Sequence, residues 1–197
     1  MSLESSANGF QSSVNHLKRW PLDRGELRLP VKQFEGEAVL PAVRLVDEMD
    51  EQMWTLLQDN LRGLTEAEAD WRPHPSANSV RWMLGHLAWF EEWAHDALRS
   101  EGRYLIDRDP TAYLEGTIPE LTARFAAARA RYRARLAQLE TSDLDRRFSY
   151  FARYDVSGMD LLKTHAMHLA GHRFQVRYVR GTYSRAHGTR KAEFDPW

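Results

Sequence analysis

The chain has 197 residues, of which 43% are hydrophobic and 28% charged, which suits one domain with a buried core. Its formal net charge is −1, so charge gives no reason to expect a nucleic acid or an anionic membrane as partner. The absence of cysteine excludes disulfides, thiolate metal ligands and a cysteine nucleophile. Any metal site must therefore use imidazole, carboxylate or carbonyl groups.

The N-terminal part of the chain carries no recognisable targeting signal. Residues 1–15 lack the basic-then-apolar order of a secretion signal, and no apolar run approaches the roughly 20 residues of a membrane span. We therefore expect a cytoplasmic protein. Residues 1–36 show no sustained hydrophobic periodicity and contain glycine and proline breakers, which predicts an irregular N-terminal arm.

The first helical pattern begins near residue 39. Pro41 suits a first helical turn and Gly63 suits the end of the helix, so the sequence predicts helix one over 39–62. Its apolar residues repeat at steps of three and four, with acidic residues between them. The apolar positions are Ala42, Leu45, Val46, Met49, Met53, Leu56, Leu57 and Leu61, and the acidic ones are Asp47, Glu48, Asp50 and Glu51.

The second predicted helix, 79–100, is marked by an aromatic stripe. Ser79 is one of three candidate N-caps that precede it. The stripe consists of Trp82, Met83, His86, Trp89, Phe90, Trp93 and Ala97. His86 lies in the middle of this stripe, so we expect its imidazole to face the protein interior.

A capping box at Thr117 and Glu120 predicts the start of helix three, over 118–140. The helix buries a second apolar stripe and also carries many arginines. Because these arginines spread around the helix and the whole chain is near neutral, we interpret them as a solvated, salt-bridged face rather than a nucleic-acid site.

Helix four is predicted over 158–180, with Ser157 as N-cap and Gly181 as the stop, followed by an irregular tail over 182–197. Three of the eight histidines in the chain fall on one face of this helix: His165, His168 and His172.

Four amphipathic helices of similar length predict an all-α protein, namely one four-helix bundle over 37–181. The long connection between helices two and three allows them to run either parallel or antiparallel. Bundle interiors are places where metal sites are built from side chains of facing helices.

His86, His168 and His172 are the candidate metal ligands. The i, i+4 spacing of His168 and His172 brings two imidazoles close enough to share one ion, and His86 supplies a third. Three protein ligands are typical of a catalytic site that keeps a position for water or substrate. The alternative is that the three are separate hydrogen-bonded core histidines, which would require three separate sets of partners.

Four further residues are candidates for lining a substrate pocket. Trp82 and Trp89 lie one turn either side of His86, although both also suit the hydrophobic core. Gln175 lies one turn from His172 and is placed to orient a ligand or substrate. His165 competes with His172 for a place beside His168, and we assign it to the pocket lining or to the support of the ligands. No residue is identified as a general base.

Residues 78–92 and 168–175 together resemble the DinB-like (DinB/YfiT-like) superfamily, whose pattern is a histidine in helix two and H-x-x-x-H in the last helix. The resemblance covers about residues 37–181. One departure is Phe174, which replaces a glycine common in the family and is expected to narrow the pocket. The helix-two segment is also similar to the N-terminal domain of ergothioneine-forming sulfoxide synthases, whose further large domain a chain of this length cannot contain.

The resemblance implies an up-down-down-up bundle, often a homodimer, that holds a divalent metal through His86, His168 and His172. Zinc is the metal it favours, with nickel and iron as alternatives. Relatives of known activity include transferases and isomerases that use a low-molecular-weight thiol. We therefore expect a metal-dependent enzyme of small-molecule thiol-transferase or hydrolase-like chemistry. The alternative is a non-catalytic metal- or ligand-binding stress-response module.

Overall fold

The structure is a computed structural model that describes residues 39–100, 109–150 and 154–189. The predicted arm, residues 1–36, and residues 190–197 of the predicted tail lie outside this part of the chain. In chain order, the elements are α1 (Pro41–Leu61), α2 (Glu66–Asp70), α3 (Val80–Arg99), a 3-10 turn (Pro110–Tyr113), α4 (Ile118–Leu136), α5 (Thr141–Asp145), β1 (Arg147–Tyr150), β2 (Tyr154–Ser157) and α6 (Gly158–Ala186).

The four long helices, α1, α3, α4 and α6, confirm the predicted four-helix bundle. Two hydrophobic clusters fill its two ends. One cluster joins the first halves of α1 and α6 to the second halves of α3 and α4, and the other joins the opposite halves. Thus α1 runs parallel to α6 and antiparallel to α3 and α4, which is the up-down-down-up order.

Side-chain caps fix the starts of three bundle helices at the predicted places. The Ser79 side chain accepts a hydrogen bond from the backbone N–H of Trp82 at the start of α3. Capping boxes open α4 at Thr117 and α6 at Ser157. Each cap satisfies backbone N–H groups that the first helical turn leaves without a partner.

The predicted end of the last helix at Gly181 is wrong. The helix α6 continues to Ala186, and the next glycine, Gly188, has φ +63°, a left-handed conformation that ends helices and that glycine adopts without steric cost. A glycine inside a helix only weakens it, and Gly181 does so without stopping it. Residues 182–186 of the predicted tail are therefore helical.

The buried face of α1 also differs from the prediction. Leu45 and Met49, two of the predicted apolar positions, are 60% and 51% exposed. Asp47 and Asp50 are buried instead, because two arginines of α4 reach across and pair with them. The interpretation of the α4 arginines as a solvated face is therefore wrong for Arg129, which is 3% exposed.

The hairpin β1–β2 was not expected from the sequence. Its two strands pair in antiparallel register, with Arg147 opposite Ser157. Each strand has only four residues, too few for a clear alternation of apolar and polar positions. Among the described residues, no helix has the length and apolar character that crossing a membrane would require.

Candidate metal centre

The three candidate ligands lie between two antiparallel helices of the bundle. His86 is in the first half of α3, within its aromatic stripe. His168 and His172 lie one turn apart on α6. Because the side chains of an α-helix repeat every 3.6 residues, the last two imidazoles project from the same face. The packing of α3 against α6 then brings His86 opposite them.

The three imidazoles converge through their Nε2 atoms. The Nε2 of His168 lies 2.9 Å from Nε2 of His86 and 3.1 Å from Nε2 of His172. If Nε2 of His168 carries a proton, that proton can form a hydrogen bond with only one of the other two nitrogens. By contrast, three nitrogens bound at the 2.0–2.1 Å typical of zinc lie about 3 Å apart when the bond angles are near 90–100°. The donor set therefore fits a single metal ion.

Burial keeps the three imidazoles neutral, which is the form that binds metals. Burial, together with the charge of His172, lowers the pKa of His86 to about 4. Burial and the neighbouring histidines lower the pKa of His168 to about 2. Burial also lowers the pKa of His172, and a side-chain hydrogen bond with Gln175 opposes that effect. At neutral pH a metal can therefore bind without any net loss of a proton from these rings, each of which keeps its proton on Nδ1.

Packing, more than hydrogen bonding, orients His168. Its Nδ1 is buried and has no hydrogen-bond partner among the described residues. The ring of Phe90 lies against the imidazole, with the ring centroids 3.9 Å apart. Phe90 therefore supports a candidate ligand directly.

The predicted pocket residues on α3 enclose His86. The Trp82 ring stacks on the His86 ring at 4.6 Å and 15°, and the Trp89 ring stacks at 5.8 Å and 19°. Two large rings therefore hold the imidazole from either side. Trp89 is buried, whereas Trp82 is partly exposed, so Trp82 can also contact a molecule that enters from solvent.

The predicted residues that follow His172 on α6 lie nearer the surface. Gln175 is exposed and reaches back to the His172 imidazole. Phe174 is 58% exposed, with the guanidinium of Arg173 over its ring at 4.4 Å. Two residues along a helix is a rotation of about 200°, so Phe174 points away from the three imidazoles. The expectation that it narrows the pocket is wrong.

His165 lies in a second buried cluster. Its Nδ1 is 3.4 Å from Oδ1 of Asp50 and its Nε2 is 3.0 Å from Oε2 of Glu91. Arg129 pairs with Asp50 and lies 3.6 Å from Glu91. Both ring nitrogens of His165 therefore face carboxylates instead of the other histidines. This cluster was not predicted from the sequence, although charged residues at inward positions of amphipathic helices are a signal for one.

Comparison with known proteins places this geometry in a family. The DinB superfamily model matches residues 49–176, which span all three histidines. No curated protein sequence matches the chain significantly. Several solved structures match the chain. One is YfiT from Bacillus subtilis, described as a probable metal-dependent hydrolase with an unusual four-helix bundle topology (TM-score 0.62, 16% identity, 78% of this chain and 92% of that chain).

Another solved structure is a conserved protein from Enterococcus faecalis, with a TM-score of 0.57, 20% identity and coverage of 71% of this chain and 95% of that chain. At such identities the likeness shows the fold alone. The match of the family model, in contrast, extends over more than half of the chain. This chain therefore belongs to the DinB superfamily.

Proposed function

We propose that this protein is a metal-dependent enzyme in which His86, His168 and His172 hold one divalent cation. The observation that supports this most directly is the convergence of three neutral Nε2 atoms, all within 4.8 Å of one another. Among the described residues, no carboxylate or fourth imidazole belongs to that group. A site with three protein ligands leaves a position for substrate, as in catalytic zinc centres.

The chemistry proposed is attack by a water or a thiol on a small-molecule substrate. A divalent metal at such a site supplies Lewis acidity, which lowers the pKa of a water or thiol bound to it. The Trp82 and Trp89 rings shield His86 from solvent, and Gln175 holds His172. Hydrolysis is supported by the description of Bacillus subtilis YfiT as a probable metal-dependent hydrolase. Thiol transfer is supported by the family resemblance of the two histidine motifs.

Zinc is the metal we propose first, because three neutral imidazoles suit it well, and nickel and iron accept the same ligands. The proposal further includes a cytoplasmic homodimer that uses a low-molecular-weight thiol, with no nucleic acid or membrane partner.

Metal analysis of purified variants tests the proposed ligands. After incubation with zinc and removal of free metal, the wild type should retain one equivalent. His86→Ala and His168→Ala should lose most of it, because two remaining imidazoles no longer form the site. His74→Ala is the matched control, since His74 is exposed and bonds Ser76 outside the cluster. Negligible zinc in all four proteins would refute the proposal.

A non-catalytic metal-binding module is the second candidate, and one observation favours it. The buried carboxylates Asp50 and Glu91 face His165 and Arg129, so neither is free to act as a general base. Metal-loaded protein should be screened with thiol cofactors plus electrophiles, and separately with hydrolysable esters and amides. Turnover that His172→Ala abolishes would support an enzyme. Stoichiometric metal without turnover in either screen would support the module.

A further inference from the structure

The four bundle helices each contribute a charged side chain to one buried cluster. Asp50 comes from α1, Glu91 from α3, Arg129 from α4 and His165 from α6. None of these side chains is more than 3% exposed. Burying four ionisable groups is costly unless the charges compensate one another. The two buried carboxylates therefore need positive charge beside them, from a proton or from an ion.

The geometry indicates that His165 is an imidazolium. A neutral imidazole carries one N–H, whereas the charged ring donates from both nitrogens. Here each nitrogen lies within ion-pair distance of a carboxylate oxygen, at 3.4 Å for Asp50 and 3.0 Å for Glu91, although neither contact has the geometry of a hydrogen bond. The Tyr132 ring stacks on the imidazole with centroids 4.0 Å apart, a contact that favours a cation. These carboxylates raise the pKa of His165 to about 10 despite its burial.

A metal ion fits this second cluster less well than a proton does. A divalent ion bound to one ring nitrogen would bring two positive charges to a cluster whose two carboxylates already face one guanidinium. Arg129 already supplies a positive charge to Asp50 and Glu91. With His165 charged, the two carboxylates and two cations are balanced.

The cluster lies directly beside the three-histidine site. On α3, Glu91 follows Phe90, and on α6, His165 precedes His168 by less than one turn. The Phe90 ring bridges the two sites, with its centroid 5.6 Å from that of His165 and 3.9 Å from that of His168. Two polar links therefore join α3 to α6: Glu91 with His165, and His86 with His168.

We propose that the ion cluster of Asp50, Glu91 and protonated His165 is a positioning element that holds α3 and α6 in the register that brings His86 against His168. The proposal rests on the metal site inferred above. It assigns the Glu91–His165 link a metal-independent role: the three ligands are aligned before any ion binds.

The first test uses metal-free protein, so that it stands apart from the fate of the metal proposal. Ring-proton NOEs between His86 and His168 should be present in the wild type and be lost or strongly weakened in Glu91→Gln. The control is Glu92→Gln, which removes the neighbouring carboxylate of the same helix. Glu92 bonds Tyr113 and Arg131 on the α4 side, so its loss should leave the NOEs intact. Unchanged NOEs in Glu91→Gln would overturn the proposal.

Zinc affinity gives the functional consequence. Competition with a chromophoric chelator should show that Glu91→Gln binds zinc about 10–100-fold more weakly than wild type, the usual effect of removing a group that supports metal ligands. Glu92→Gln should remain within about twofold of wild type, well short of that effect. Equal affinity in a folded Glu91→Gln protein would contradict the positioning role.

The charge of His165 can be measured without any variant. In metal-free wild type at pH 8, the two ring ¹⁵N shifts of His165 should be those of an imidazolium, whereas an ordinary histidine is neutral at that pH. Neutral shifts would overturn the proposal. So would a second equivalent of zinc that Glu91→Gln removes and His86→Ala retains, because a metal rather than a proton would then hold the cluster.

Discussion

Three histidines on one face of α6 have different environments and, we infer, different roles. Burial and the neighbouring imidazoles lower the pKa of His168 to about 2. His165, less than one turn earlier, lies between two carboxylates, and its pKa rises to about 10. Helical spacing groups these residues but does not distinguish them, because the carboxylates come from two other helices. The side chains that surround an imidazole decide whether it binds a metal or keeps a proton.

At the residue scale, Arg180 should be one of the most costly positions to change. It is 1% exposed, donates from Nε to Oε1 of Glu68 at 2.7 Å and from Nη1 to the Arg62 carbonyl at 3.0 Å. Arg180→Met leaves the buried Glu68 carboxylate unpaired, so we expect a loss of about 3–5 kcal/mol in the free energy of unfolding. Urea unfolding of metal-free protein measures it.

The matched control for Arg180 is Arg62→Met. The Arg62 side chain is 80% exposed and pairs with Asp59 at 2.8 Å on the surface. Exposed pairs of this kind contribute about 0–1 kcal/mol. Similar losses in the two variants would show that the buried pair is not the anchor that its contacts indicate.

At the scale of elements, two glycines that each precede a candidate ligand should respond in opposite ways to alanine. A Cβ at Gly85 would lie 2.5 Å from the Tyr113 carbonyl oxygen, so α3 and the 3-10 turn would have to separate. A Cβ at Gly171 would meet nothing within 4 Å. We expect Gly85→Ala to destabilise by about 1–3 kcal/mol and Gly171→Ala to stabilise by about 0.5–1 kcal/mol. Thermal and urea unfolding measure both.

The pair also separates packing from metal binding. Gly171→Ala should keep the wild-type zinc content, because the added methyl group points to open space. If Gly85→Ala left the free energy of unfolding unchanged, the 3-10 turn would be free to move away from α3, contrary to the close contact in the structure.

The starts of the helices could be predicted from sequence more reliably than the buried faces. Caps such as Ser79, Thr117 and Ser157 act within one turn, so their residue types are sufficient evidence. The buried face of α1 depends on distant partners: Asp50 is inside because Arg129 of α4 pairs with it. The sequence likewise showed two glycines near the end of α6, and only the backbone conformation of Gly188 showed where the helix ends.

At the scale of the whole molecule, the stability of the metal-free protein should fall on both sides of neutrality. Folding lowers the pKa of His86 to about 4 and that of His168 to about 2. Below about pH 6.5 these two histidines are therefore protonated in the unfolded chain but still neutral in the folded protein. Stability should therefore fall as the pH drops below 6.5. The contribution of His165 has the opposite sign: it is fully present below 6.5 and is lost as the pH rises towards its folded pKa of about 10.

Urea unfolding of metal-free protein at pH 5, 7.5 and 9.5 measures the loss of stability on the acid and the alkaline side. On the alkaline side the free energy of unfolding should fall by at most about 1.4 kcal/mol per pH unit, the slope for one proton. Glu91→Gln removes one of the two carboxylates that raise the pKa of His165, so it should weaken the loss of stability at alkaline pH and leave the loss at acid pH unchanged. A wild-type stability that stays constant from pH 7.5 to 9.5 would contradict a charged His165.

The candidate ligands could be predicted from sequence because an i, i+4 pair and one inward histidine carry a strong local signal. The ion cluster beside them was not predicted, because the inward positions of Asp50, Glu91 and Arg129 on their own helices do not show that the three side chains meet. Only the packing of four helices brings them together. The predicted bundle was therefore sufficient to place His86, His168 and His172, while the environment that distinguishes His165 required the structure.

The position of the candidate ligands along the chain has a consequence for when a metal can be acquired. His86 and His168 are 82 positions apart, and α6 is the last helix of the bundle. During synthesis no segment that lacks α6 contains the complete site. An ion that binds only the finished site adds stability only to chains in which α6 has docked on α3. Metal uptake would then follow the completion of folding, and the stability that the ion adds would be absent from every incomplete chain.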